Sequence, residues 1–198
     1  MRAFNGRRSH APECPCCEAA RTGRRALFAA AALACAAPVI PGEAFAQGAR
    51  GGARRLTVRR AYSSDAFSGA YWADGRYQRE ALEQLNWVFR DLSRDEVTPM
   101  DPRLFDVMHS IAERLDTREG FDVISGYRAP ETNAANAARS RRVSTVSLHM
   151  SGMAGDMRIP GRESLGMARL AAEMGLGGVG LYRRDGFVHL DCGQARRW

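Results

Sequence analysis

Lysine is absent from the 198-residue chain; all 29 basic residues are arginine. Chemistry that needs a lysine amine, such as a Schiff base, is thereby excluded. Long apolar runs are also absent. The longest lies within RRALFAAAALACAAPVI, residues 24–40, and its roughly 15 apolar residues fall short of the about 20 a membrane-spanning helix needs. No segment repeats at a period of about 20–50 residues, which argues against solenoids and propellers. The 20 glycines show no three-residue period, so the chain is not collagen-like. With 45% hydrophobic and 26% charged residues, a globular domain is expected rather than a disordered one.

Cysteine is scarce once the N-terminus is set apart. The pair Arg24-Arg25, an apolar run, Pro41-Gly42 and then Ala44-Phe45-Ala46 follow the order of a secretory signal peptide, with cleavage after Ala46. The stretch Thr22 to Phe28 resembles the twin-arginine export motif. The expected organisation is a leader at 1–46, a flexible Gly- and Arg-rich linker at 47–59 and one domain at 60–198. The expected destination is the periplasm or cell envelope, with the twin-arginine export machinery as a partner. Cys14, Cys16, Cys17 and Cys35 leave with the leader, so Cys192 remains alone and no internal disulfide can form. Removing six Arg and three Glu leaves 23 basic and 19 acidic residues, a net charge of +4. No basic stripe carries interleaved aromatics, so nucleic acid is not an expected partner. A monomer is expected.

Periodicity divides the mature chain. Leu56 to Ala61 reads as a strand, and Gly69 to Tyr77 as a hairpin turning at Asp74-Gly75. Helical spacing of Leu82, Leu85, Val88, Phe89 and Leu92 predicts a helix from Arg79 to Leu92. Asp101 and Pro102 form an N-cap and first-turn pair for a second helix with Leu104, Phe105, Val107, Met108 and Ile111 on one face. Strands are expected at 121–125, 153–159, 178–182 and 187–191, with helices at 130–140 and 161–174. The expected fold class is α+β, a small antiparallel sheet with helices packed on one side.

Histidine is as scarce as cysteine. Of four, His10 lies in the leader and His109 falls among core positions of the second helix, where a structural role is expected. His149 sits in Ser147-Leu148-His149-Met150-Ser151-Gly152-Met153-Ala154-Gly155-Asp156. A loop histidine and a strand aspartate can meet at one cation if the chain between them turns tightly, and Gly152 and Gly155 permit a turn. His189 sits in Phe187-Val188-His189-Leu190-Asp191. On a strand, positions 189 and 191 share a face, so Asp191 can take a proton from water or orient the imidazole. Cys192 points the other way and is expected to be a packing thiol.

The pattern Ser147-x-His149-x-x-Gly152-x-Ala154-x-Asp156, with Ser125-Gly126-Tyr127-Arg128 upstream, resembles the first zinc motif of the VanX-like and D-alanyl-D-alanine carboxypeptidase metallopeptidases. Further segments narrow the resemblance to the YcbK-like (MepK) murein endopeptidases. These are Tyr71-Trp72 with Gly75 and Tyr77, Ile124 to Asn133, Ser147 to His149, and Gly177 to Asp191 with Arg197-Trp198. The resemblance covers about residues 60–198. It implies a VanX-type fold and a peptidase of peptidoglycan peptides with one zinc ion per chain, held by His149, Asp156 and His189. Attack on a peptide carbonyl develops an oxyanion that needs positive charge, expected from Arg128 on a constrained loop before Pro130, and Ser147 is expected to hydrogen-bond either a group behind a ligand or the substrate. Relatives of the VanX type carry a glutamate base three places before the last histidine, where this chain has Gly186. The base is therefore assigned to Asp191 ahead of Asp185. Two other activities fit the same residues: a D-alanyl-D-alanine carboxypeptidase or dipeptidase, and a module that binds wall peptides without turnover.

Overall fold

The computed structural model describes residues 52–198; the leader, its export motif and the first part of the linker lie outside the described residues. Among those described, no helix is long and apolar enough to cross a membrane. In chain order the elements are β1 (Arg54–Arg60), β2 (Ala66–Ala73), β3 (Arg76–Tyr77), α1 (Arg79–Val88), α2 (Pro102–Arg114), β4 (Phe121–Ser125) and α3 (Pro130–Arg139). A single 3₁₀ turn (Leu148–Ser151) follows, then β5 (Ala154–Arg158), α4 (Ser164–Met174), β6 (Gly178–Tyr182), β7 (Phe187–Asp191) and β8 (Arg196–Arg197).

Local chemistry sets most of these boundaries. Asp74 and Gly75 have φ of 53° and 77°. Both lie in the left-handed region, as a two-residue type I′ hairpin turn requires. The Asp101 side chain accepts from the Arg103 N–H, and Pro102 fills the first helical position of α2. α1 stops at Val88, short of the Leu92 that spacing alone suggests. The Phe89 carbonyl accepts instead from Tyr127 N–H at 2.7 Å, and Asp91 N–H pairs with the Glu96 carbonyl at 2.9 Å. β1 begins at Arg54, inside the 47–59 stretch, and Arg54 is anchored to Asp106 at 2.7 Å.

The sheet is larger than expected and mixed. It has eight strands in the order β3-β2-β1-β4-β5-β7-β6-β8. β1 pairs with β4 in parallel, as does β6 with β8; the other neighbouring pairs are antiparallel. The parallel β1–β4 pair joins strands separated by a hairpin and two helices, so no local signal announces it. α1 lies against β1 and β2, α2 against β1 and β7, and α4 against β6 and β7. The buried residues Leu56, Val58, Phe121, Val123, Met157, Val188 and Leu190 supply the sheet's side of this core. α3 stands apart from it, with Asn133 its one buried residue.

Strand alternation then dictates where chemistry can sit. Met157, Val188 and Leu190 point into the core, so Asp156, His189 and Asp191 point to the other face. β4 adds one irregularity. Its register with β5 shifts between Val123 and Ser125, so that Val123 faces Met157 while Ser125 faces Asp156. Regular alternation would aim Ser125 at the core with Val123; the bulge moves it to the polar face.

Candidate metal centre

One row of register partners crosses four strands on that face: Ser125 on β4, Asp156 on β5, His189 on β7 and Gly180 on β6. His149 joins from the 3₁₀ turn. Ser147 caps this turn, its hydroxyl accepting from His149 N–H at 3.3 Å. Gly152 ends it with φ of 69°, and a Cβ there would stand 2.6 Å from the Pro99 carbonyl oxygen. Gly155, by contrast, lies inside β5 and lets the backbone approach Phe89 and Met157.

The three expected ligands converge. His149 Nε2 lies 3.2 Å from His189 Nδ1 and 3.3 Å from Asp156 Oδ1, and His189 Nδ1 lies 3.0 Å from the same Asp156 oxygen. Ligands held tetrahedrally at 2.0–2.1 Å from zinc stand roughly 3.3 Å apart. All three side chains are buried, and together they form a candidate metal-binding group.

The far side of each imidazole fixes which nitrogen faces inward. His149 Nδ1 lies 2.6 Å from the Gly126 carbonyl, and His189 Nε2 lies 3.1 Å from Asp191 Oδ2. Each outer nitrogen therefore donates its N–H outward, leaving the inner nitrogens as acceptors. Two acceptor nitrogens and a carboxylate oxygen then face one another, and a cation or a proton must lie among them. The donor set, spacing and tautomers fit a divalent metal.

Electrostatics agree with the hydrogen bonds. Burial holds His149 below the ordinary histidine range, favouring the neutral, ligating form. For His189, burial pushes the pKa down, but bonds to Asp156 and Asp191 outweigh it and raise the value. For Asp156, burial pushes upward, but His149, His189 and Arg128 hold the carboxyl far below the usual carboxylate range.

Asp191 is 0% exposed. Besides His189, it accepts from Gly178 N–H at 3.0 Å, Gly193 N–H at 2.9 Å and both terminal nitrogens of Arg196, at 3.1 and 2.7 Å. Burial alone would raise its pKa; these donors hold it well below the usual range. Arg128 donates from Nε to Ser125 Oγ at 2.8 Å and from a terminal nitrogen to Asp156 Oδ2. Its loop is pinned by three consecutive N–H groups: Tyr127 to Phe89, Arg128 to the His149 carbonyl and Ala129 to the buried Asp91 carboxylate. A cleft of about 400 Å³ opens beside the centre, with Arg128, Ser147, Asp185, Arg196 and Trp198 among its walls.

Other candidates resolve into structure. His109 is half-buried on α2 and meets the Arg55 carbonyl at 3.2 Å. Cys192 is buried in the core, with its thiol pushed up to about 11 by burial. Tyr127 packs in the core and bonds Glu96, and Trp72 lies under the Arg54 guanidinium. Ser125, Gly126 and Gly178 lie within the motifs quoted from the sequence but with no role assigned to them, and Arg196 lies outside those motifs. Arg196 comes within reach only through the β6–β8 pairing, and Ser125 only through the bulge.

A family model described as peptidoglycan L,D-endopeptidase MepK matches residues 49–198. The chain belongs to the MepK family. A peptidoglycan L,D-endopeptidase MepK of Escherichia coli (strain K12) is 38% identical over 176 residues, which span 88% of this chain and 96% of that protein. A probable peptidoglycan L,D-endopeptidase MepK of Haemophilus influenzae is 34% identical over 146 residues, 73% of this chain and 78% of its own. No solved structure matches the chain. MepK membership makes the chain a peptide hydrolase.

Proposed function

We propose that this chain is a zinc-dependent endopeptidase of the peptidoglycan, exported to the periplasm by the twin-arginine leader at 1–46 and built on a VanX-type frame. The observation that carries this reading is the convergence of His149 Nε2, His189 Nδ1 and Asp156 Oδ1 within 3.3 Å, each imidazole anchored from behind. When bound, zinc supplies Lewis acidity and a hydroxide nucleophile at neutral pH.

The chain's own residues divide the remaining work. Gly126 and Asp191 hold the two imidazoles in their ligating tautomers. Asp191 is thus assigned the orienting role, since every oxygen it offers is engaged by donors. Ser147 positions His149 through the cap. Arg128, locked to Ser125 and Asp156 at the cleft wall, places positive charge where the scissile carbonyl develops negative charge. Asp185, an exposed carboxylate lining the same cleft, is assigned proton transfer between the attacking water and the leaving amine.

The cleft shares Arg142, Tyr182, Asp185 and Trp198 with a second depression, so the surface open to substrate extends beyond the centre. The names of the relatives, endopeptidases throughout, favour an endopeptidase over an enzyme that trims a terminal D-alanine. The names of the relatives specify an L,D bond. In a cross-link, that stereochemistry suits a direct diaminopimelate–diaminopimelate linkage rather than one between D-alanine and diaminopimelate. Mass spectrometry of purified muropeptides after digestion tests the reading. Diaminopimelate-linked dimers should fall to monomers, chelation should stop the reaction, and added zinc should restore it. Zinc binding with every dimer left intact would instead indicate a wall-peptide-binding module.

A further inference from the structure

Trp198 occupies an unusual position next to this centre. The residue is 54% exposed, yet its backbone is fixed: its N–H donates to the Val179 carbonyl and its own carbonyl accepts from Leu181 N–H, both at 3.1 Å. The indole reaches the sheet face only because Gly180 has no side chain; a Cβ there would stand 2.6 Å from the ring. Gly180 is the register partner of His189. The indole centroid consequently lies 5.1 Å from the His189 ring, with the Arg196 guanidinium 5.1 Å from the indole. A rigid, half-exposed aromatic surface thus follows the last ligand along the row Ser125, Asp156, His189, Gly180.

The same indole is a shared wall between the metal cleft and the adjoining depression of about 600 Å³, which Arg142, Tyr182, Arg183 and Asp185 also line. The cleft's arginines differ in how firmly they are held. Arg128 is tied to Asp156, and Arg196 to Asp191 at 2.7 Å. Arg142 reaches Asp185 only at 3.9 Å, and both side chains are more than half exposed. The cleft at the metal centre is therefore lined by both an apolar plane and a loosely held guanidinium.

We propose that Trp198 is a substrate-contacting, specificity-determining residue: the methylene chain of the residue beside the scissile bond lies on its indole, and that residue's distal carboxylate reaches Arg142. The inference rests on the endopeptidase reading above. A diaminopimelate side chain has this form, three methylenes ending in a carbon that bears a carboxylate and an amine. The methylenes leave water against the indole, and a carboxylate pairs well with a planar guanidinium.

The test compares parent, W198A, W198F and R142Q on a diaminopimelate-linked dimer and on the same dimer with its distal carboxylate amidated. W198A should raise KM about tenfold, equivalent to ~1.4 kcal/mol, while kcat changes by less than about threefold. W198F should recover most of the loss, and all variants should keep one zinc per chain. Amidation should raise the parent's KM by about tenfold but leave that of R142Q nearly unchanged. Parental KM in W198A overturns the inference alone. So does a fall in kcat that tracks lost zinc, because the indole would then act only through His189. A parent that cuts no cross-linked dimer overturns the endopeptidase reading itself.

Discussion

His189 Nε2 stands 3.1 Å from Asp191 Oδ2, two residues further along the same strand, while its Nδ1 faces Asp156. Asp191 thus decides which nitrogen of His189 is available to a cation. Replacing it with Ala removes that decision and strands the Gly178 and Gly193 N–H groups and Arg196. The expected loss is about 10–100-fold in zinc affinity, with about 1–3 kcal/mol of stability. Competition with a chromophoric chelator and urea denaturation measure the two effects. At saturating zinc, the variant should recover a substantial share of kcat, which a lost proton acceptor would not allow.

Asp185 carries the complementary prediction. Asp185→Asn should lower kcat by about 10²–10⁴-fold and leave zinc content at one per chain. Parental kcat in this variant would move proton transfer to another group.

Acid should destabilise the metal-free protein. Asp156 and Asp191 have folded values below the ordinary 3.8. Their contribution is fully present above that unfolded value and is lost as pH falls through it toward the folded values. The histidines act in opposite senses. His149, lowered from 6.5, loses its contribution as pH falls below that value; His189, raised, loses its contribution as pH rises through its folded value. The histidines act through the neutral range, whereas below about pH 4 the carboxylates set the acid limb. Denaturation of chelated protein should show stability falling steeply below about pH 4. In Asp191→Asn that fall should be shallower.

Asp91 supports the centre from a distance. Its buried carboxylate accepts the Ala129 N–H and holds the loop that carries Arg128. Asp91→Ala should cost about 1–3 kcal/mol in stability and lower kcat more than zinc affinity, since the candidate ligands lie on other segments. Denaturation and steady-state kinetics on the same preparation separate the effects.

Much of this candidate centre is legible in the sequence because the three side chains that meet there lie in short local patterns. Period-two alternation places His189 and Asp191 on one face, and Gly152 after His149 permits a tight turn, although the 3₁₀ turn it closes is not itself signalled. The same alternation cannot tell a cleft-lining carboxylate from a buried one. What buries Asp191 is the approach of Gly178, Gly193 and Arg196, which depends on pairing among β6, β7 and β8. The mixed sheet escapes for a related reason, since Val58 and Phe121 become parallel neighbours across a long stretch of chain. Ser125 is harder still. Its neighbours predict a core-facing side chain, and only the bulge opposite β5 turns it toward Arg128.

Whether His149, Asp156 and His189 hold a metal is decided by zinc titration into chelated protein by calorimetry, comparing the parent with His149→Ala at pH 7. One site per chain is expected in the parent and none in the variant, with both proteins giving the same circular dichroism spectrum. A parent that binds no zinc, or a variant that keeps the site, would contradict the assignment of these three ligands.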